Sequence, residues 1–365
     1  MSWDCIEIVG RITMLGCIAA IGVGLLLIGC SKPDKPKPVK YNLYVPATHL
    51  AAGQGDSSFN RIYIYDADSL TLHDSIWQAH FTESLDVSPD GEWLYVAGFI
   101  SYQARRVIQK IDIRTKHTVW TRSDLWGVRC IANGTLLLAG RDVLSSDDAS
   151  LLRHLSDTLK PLFGPVSGTK IAATAGDTVV TVVDVANGVD TGQFVPRDTS
   201  GIALSHIYTA RLHPDGKRIL AVGVYGSDSN TWFVIGDIET GQTLFRYHIY
   251  RPQGEIAISS DGNLAAVTSQ GSPARGERGA VHVIDLRTLS FIGPTPPFPA
   301  GAQVKFLPGD RRIVTAPSAD PSFFDAGPLL VTNMTSMALE RVIWPMPTDP
   351  PRREDIGSLG IGPRP

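Results

Sequence analysis

Ser84-Leu85-Asp86-Val87-Ser88-Pro89-Asp90-Gly91-Glu92-Trp93-Leu94-Tyr95-Val96-Ala97-Gly98, followed by Val107-Ile108-Gln109-Lys110-Ile111-Asp112-Ile113-Arg114-Thr115-Lys116-His117-Thr118-Val119-Trp120, is the stretch that decides the fold. Short runs of Val, Ile, Leu and aromatic residues alternate with turn residues, the pattern of four antiparallel strands. Pro89 presets φ, Asp90 bonds the backbone and Gly91 accepts a positive φ, so a tight turn follows the first run. Asp112 and Thr115 make a second turn, in which short polar side chains satisfy freed N–H groups. One four-stranded sheet cannot bury both its faces and needs neighbours of its own kind.

The neighbours are copies of the same unit. The second turn recurs at Asp66, Asp184, Asp237 and Asp285, with weaker copies at His154-Leu155-Ser156-Asp157 and Asn333-Met334-Thr335-Ser336. Six steps separate Asp66 from Asn333, a period of about 44 residues, which is that of four-stranded propeller blades. The first turn recurs as Pro214-Asp215-Gly216 and Ser260-Asp261-Gly262, with degenerate copies at Asn133-Gly134 and Pro308-Gly309-Asp310. Asp90 to Asp112 and Asp215 to Asp237 have equal spacing, so the two turns belong to one repeating unit. The chain is therefore expected to be all-β, a seven-bladed propeller of four-stranded antiparallel blades. The first unit lacks an opening strand before Leu43-Tyr44-Val45. Ser358-Leu359-Gly360-Ile361-Gly362-Pro363 repeats the pattern of Ser84 to Pro89, so the C-terminal strand is expected to complete blade one and close the ring. Closure removes exposed sheet edges.

Composition narrows the function. The 365 residues carry a formal net charge of −3, without the basic footprint that nucleic-acid binding requires. Of four cysteines, Cys5, Cys17 and Cys30 fall in the N-terminal segment and Cys130 stands alone, which excludes a disulfide framework or a Cys-based zinc site. Ile12 to Gly29 is largely apolar and ends in Leu27-Ile28-Gly29-Cys30, the form of a secretory signal. Ser31 to Lys40, rich in Pro and Lys, reads as an extended tether. The expected organisation is a signal peptide over 1–29, a lipidated Cys30 with its tether over 30–40, and one propeller over 41–365.

Two resemblances add to this reading. Leu-Ile-Gly-Cys resembles the lipobox of bacterial lipoproteins. It implies cleavage before Cys30, acylation of that residue, and an extracytoplasmic protein held to the membrane. In that family Ser31 after the cysteine favours the outer membrane where the cell has one. The paired motifs, Ser-Pro-Asp-Gly-x-x-Leu-Tyr-Val-Ala and Val281 to Thr288, resemble the repeats of YVTN/YncE-like seven-bladed propellers over Asn42 to Pro363. That resemblance implies a binding or scaffold protein of the cell envelope.

No Gly-x-Ser-x-Gly elbow, P-loop, haem-attachment Cys-x-x-Cys-His or His-Glu-x-x-His pair is present. Asp147-Asp148 offers too few oxygens for calcium. His213 fills the slot of Ser88 and Ser259 and reads as a turn residue. Trp77, Trp120 and Trp344, with Phe194, Phe245 and Phe291, recur at the ends of fourth strands and are expected to pack between blades. Long loops between second and third strands, Ala51–Asn60, Ser269–Gly279 and Pro317–Pro328, emerge on the same face as the links between blades. Loops on a rigid ring carry specificity. His80, Tyr102, His206, Arg251 and Arg275 are the candidate binding residues of that face. The expectation is a monomeric, non-catalytic protein without metal or cofactor, which contacts the membrane through its anchor and binds an envelope protein or small ligand. The alternative is an envelope oxidoreductase or hydrolase with a cofactor in the central channel.

Overall fold

The computed structural model describes residues 39–365 apart from 50–58, 79, 101–104, 163–167, 227–230, 250–251, 270–278, 295–300, 318–327, 345–353 and 357–358. Blade 1 contains β1 (Tyr41–His49), β2 (Phe59–Asp66) and β3 (Leu72–Gln78). Blade 2 is β4 (Phe81–Val87), β5 (Trp93–Ile100), β6 (Arg105–Asp112) and β7 (Thr118–Ser123). Blade 3 is β8 (Arg129–Ile131), β9 (Leu136–Ala139), β10 (Asp142–Ser145) and β11 (Leu151–His154). Blade 4 is β12 (Leu159–Pro161), β13 (Lys170–Ala175), β14 (Val179–Asp184) and β15 (Val189–Phe194). Blade 5 is β16 (His206–Leu212), β17 (Arg218–Val224), β18 (Thr231–Asp237) and β19 (Thr243–His248). Blade 6 is β20 (Pro252–Ile258), β21 (Leu264–Ser269), β22 (Ala280–Asp285) and β23 (Ser290–Pro294). Blade 7 is β24 (Gly301–Phe306), β25 (Arg312–Pro317), β26 (Leu329–Asn333) and β27 (Ala338–Ile343). Each blade is an antiparallel meander in chain order.

The chain then returns to blade 1. There β28 (Glu354–Ile356) pairs with Ala47–His49, and β29 (Gly360–Pro363) pairs with Tyr41–Tyr44. Both segments lie antiparallel along the free edge of β1, so the C-terminus supplies the missing inner strand, as the repeat pattern requires. A Cβ on Gly360 would collide with Leu85, and one on Gly362 with Val87, so these glycines let the last strand lie close against blade 2. Gly91 combines φ +78 with contact to the Pro363 carbonyl, which leaves no room for a side chain.

Ring closure is written into the core. Tyr44, Ile62 and Ile64 of blade 1 pack with Leu85, Leu94 and Val96 of blade 2. Leu43, Val45 and Tyr63 of blade 1 pack with Leu307, Val314 and Val331 of blade 7. Equivalent apolar clusters fill the five remaining seams. A blade buried on both faces needs apolar side chains on both, so central strands are continuous apolar runs. In β17 every residue after Arg218 is buried. In β27, an outer strand, all residues before Ile343 are exposed. Among the described residues no helix is long and apolar enough to cross a membrane.

The turns form by the expected local chemistry, with one correction. Asp66 Oδ1 accepts from Asp68 N at 3.0 Å and Ser69 N at 2.7 Å, and Asp237 Oδ1 from Thr240 N at 2.7 Å. Asn333 Oδ1 does the same for Thr335 N at 2.9 Å and Ser336 N at 3.2 Å. The third blade departs from the expected copy at His154–Asp157. Its β10–β11 turn lies at Ser145–Ser150, where Asp148 Oδ1 accepts from Ser150 N at 3.1 Å. Only Gly140 and Arg141 join β9 to β10, so the unit is compressed and its turn arrives early. His154 and Asp157 instead sit at the link into blade 4, bonded to each other at 3.2 Å.

Candidate functional site

The two ends of the ring differ. On one end lie the turns that join first to second and third to fourth strands, and their carboxylates are committed to backbone. Asp90 Oδ1 accepts from Glu92 N at 2.9 Å and Asp261 Oδ1 from Asn263 N at 2.9 Å. His213 belongs to this end as a turn residue. It is buried, takes Asp215 N–H on Nδ1 at 3.1 Å and meets Gly262 O of blade 6 at 2.7 Å through Nε2.

The other end carries the interblade links and the loops between second and third strands. His206 opens β16 there, half exposed, with Nδ1 3.5 Å from the Asp177 carboxylate and its ring edge-on to Tyr208 at 5.1 Å. Tyr208 is itself exposed, and a register shift between Ile207 and Thr209 leaves it as the extra residue of a bulge. Bulges at sheet edges re-aim side chains in this way. His80 is placed differently from the sequence expectation. It is buried in blade 2, where Nε2 donates to Gln109 Oε1 at 2.8 Å and the ring lies over Gly98. It therefore braces the blade and does not join His206. Tyr102, Arg251, Arg275 and Cys30 lie outside the described residues, as do most of the three long loops.

The fourth-strand aromatics divide. Phe194 is buried in the seam between blades 4 and 5, and Phe245 meets Phe233 edge-on. Trp77 and Trp344 do not pack between blades: they are 62% and 56% exposed. Each follows the outer strand to the loop end of its blade, and closure makes blades 1 and 7 neighbours. An outer strand has solvent on one side, so the face on which its register places a ring decides whether that ring is covered.

A second group, which the sequence reading did not select, lies on the inner strands. Ser84, Glu255 and Gln303 each stand four residues before the slot of Ser88, Ser259 and Leu307. Each accepts an N–H from the next blade: Val128 N to Ser84 Oγ at 3.0 Å, Val304 N to Glu255 Oε2 at 3.1 Å, and Leu359 N to Gln303 Oε1 at 2.8 Å. Two residues further along come Asp86 and Lys305, with Arg211 at the same place before His213. Arg129 Nη1 lies 3.5 Å from Asp86 Oδ1, and Lys305 Nζ lies 2.9 Å from Glu255 Oε1. Burial would raise the Glu255 carboxyl, but Lys305 and Arg211 outweigh it and hold the group below the usual carboxylate range. Arg211 is 5% exposed, and burial pulls its guanidinium down to about 10. The signal for these positions was available: a charged residue centred in an apolar strand, as in Leu85-Asp86-Val87, Ala210-Arg211-Leu212 and Val304-Lys305-Phe306. Among the described residues no three His, Cys, Asp or Glu side chains cluster so as to hold a metal ion.

No protein-family model matches the chain. No curated protein matches it either. Solved structures do. The dihydro-heme d1 dehydrogenase NirN in complex with DHE is similar with a TM-score of 0.54 and 14% identity, covering 83% of this chain and 64% of that one. Kuenenia stuttgartiensis hydrazine synthase is similar with a TM-score of 0.56 and 15% identity, covering 77% of this chain and 93% of that one. The chain thus spans less than two thirds of the first of these structures. At such identities the likeness is one of fold, and it agrees with seven four-stranded antiparallel blades set in a ring.

Proposed function

We propose that this protein is a lipid-anchored propeller of the cell envelope, an exported relative of YVTN/YncE-like repeats, that recognises a partner through the loop end of its ring without catalysis. In this reading Cys30 carries the lipid, residues 31–40 form the tether, and the ring acts as a monomer outside the cytoplasm. The partner is an envelope protein. The observation that carries the reading is the asymmetry of the two ends. Turn carboxylates at one end are engaged by backbone N–H groups and neighbouring arginines, whereas the other exposes Trp77, Trp344, Tyr208 and His206 on rigid strands or directly beside them. Exposed aromatic side chains held by a stiff scaffold are frequent anchors in protein recognition.

The test is crosslinking and pull-down of the anchored protein from membranes, repeated with Trp77→Gln and Trp344→Gln together and with Tyr208→Ala. A partner captured by the wild type and lost from these folded variants supports the reading. Undiminished capture by all of them overturns it. A redox cofactor bound in stoichiometric amount, visible in the absorbance of the purified protein, would replace it with an envelope enzyme using the channel.

A further inference from the structure

The tripeptide Ala-Asn-Gly occurs at Ala132-Asn133-Gly134 and again at Ala186-Asn187-Gly188. The first copy joins β8 to β9, the second β14 to β15, and both asparagines are exposed. Local sequence therefore gives them the same chemistry, and the fold tells them apart. Asn187 is held at both ends of its amide. Its Nδ2 donates to Asp184 Oδ2 at 3.2 Å, and its Oδ1 accepts from Val189 N at 2.9 Å. The Asn133 side chain makes no hydrogen bond to any described residue.

The backbone explains the difference. Asn133 fills the slot of Asp90, Asp215 and Asp261 in the regular turns. Each of those carboxylates accepts the N–H two residues on: Glu92 N at 2.9 Å, Lys217 N at 2.8 Å and Asn263 N at 2.9 Å. None of the three aspartates has a positive φ. Asn133 does, at φ 55 and ψ 30, in the left-handed region that asparagine tolerates. The Thr135 N–H, which its side chain would cap, goes to the Ala132 carbonyl at 3.2 Å. The amide is left exposed, unengaged and followed by glycine.

We propose that Asn133 is a deamidation site, converted by water to aspartate and isoaspartate, and that its turn protects Asn187 from the same reaction. Asparagine is a thermolabile residue, and glycine offers no side chain to shield the attacking nitrogen. Gly134 N gives its proton to solvent base and attacks Asn133 Cγ. The bond from Cγ to the side-chain nitrogen breaks, that nitrogen takes a proton from water, and ammonia leaves a cyclic succinimide. Water opens the ring. Opening at the side-chain carbonyl gives Asp, the residue of the regular turns. Opening at the main-chain carbonyl gives isoaspartate, with the chain lengthened by a methylene. That lengthening falls where the turn meets both neighbouring blades. A Cβ on Gly134 would lie 3.0 Å from Pro89 Cδ of blade 2, and Ala132 N donates to Gly168 O of blade 4 at 3.1 Å. The proposal is independent of the lipid anchor and of recognition at the loop end.

The test is incubation of the full-length protein in detergent at mildly alkaline pH, with the Asn133 and Asn187 peptides followed by mass spectrometry. In the folded protein Asn133 is expected to convert about tenfold faster than Asn187 or more, as the loss of two hydrogen bonds implies. In urea, where both are the same tripeptide in an open chain, the gap is expected to close. Labelling by an isoaspartyl methyltransferase is expected at the Asn133 peptide of aged protein. Ageing is also expected to lower the melting temperature of the wild type, and Asn133→Gly, which keeps the positive φ and removes the amide, to prevent that loss. Equal or slower conversion of Asn133 in the folded protein overturns the proposal. So does a gap that persists unchanged in urea, because the fold would then not be its source. An equal loss of melting temperature in the aged Asn133→Gly protein overturns the effect assigned to the seam.

Discussion

Arg364 Nη2 donates to Asp66 Oδ2 at 2.6 Å, joining residues that stand 298 positions apart. The same guanidinium reaches Asn42 Oδ1 through Nε at 3.2 Å, and Arg364 N donates to Lys40 O at 2.8 Å. The last residues are thus tied to the first strand just beyond the β1–β29 ladder. Asp66 also caps the β2–β3 turn, so one carboxylate serves local turn formation and ring closure.

Loss of the closing strand should be severe. Truncation after Asp355 removes the β29 ladder, exposes Leu43 and Tyr44 on the inner edge, and strips Leu359 from the seam with blade 7. The expected loss is roughly several kcal/mol, a large share of the stability of an ordinary domain. Arg364→Ala, which leaves the ladder in place, should cost only about 1 kcal/mol. Urea denaturation of both variants checks the ordering, and equal stability of the truncated and intact proteins would rule closure out.

Gly362→Val should destabilise the ring more than substitution of a turn glycine with open space around it. The added side chain meets Val87 of blade 2 across a seam packed at interior density. Overpacking of this kind costs about 1–3 kcal/mol. A shift in denaturation midpoint is the readout, with Gly176→Ala as control, since nothing stands within 4 Å of a Cβ there and only its φ of +67 is strained.

Acid should loosen the closure. The Asp66 carboxyl is lowered from 3.8 to about 2, first by the Ser69 N–H and with Arg364 adding to the effect. Its folded pKa therefore lies below its unfolded one. The associated stability is present above the unfolded value and is lost as pH falls through about 2. Asp66→Asn separates the two roles of the residue, because Asn333 shows that an amide accepts the same turn N–H groups. The variant should be about 1 kcal/mol less stable than wild type at pH 7, the worth of a partly exposed ion pair. That difference should shrink as pH is lowered from 4 toward 2. Urea denaturation across this window is the measurement, and a gap that stays constant would exclude the ion pair as its source.

Cys30→Ser should abolish labelling by a radioactive fatty acid and leave a longer precursor. The basis is the position of Cys30 at the end of the apolar run, in Leu27-Ile28-Gly29-Cys30. Labelling that persists would move the acylation to Cys5 or Cys17.

By itself the sequence determined the repeat, the turns and the closing strand. These rest on interactions among residues a few positions apart: Pro89-Asp90-Gly91 folds back because of its own φ preferences and its own carboxylate, wherever the blade sits. The period follows from the repetition of that chemistry, and the homology of Ser358–Pro363 with Ser84–Pro89 announces β29. Ring geometry decided what such local rules do not contain. Closure brought Arg364 to Asp66 and Gln303 to Leu359. It also decided that His80 is an internal brace while Trp77 and Trp344 meet solvent, because burial depends on which neighbour covers a strand face. A charge inside an apolar strand is visible in one dimension; that Asp86 meets Arg129 and Glu255 meets Lys305 of the next blade is decided only when the blades stand side by side.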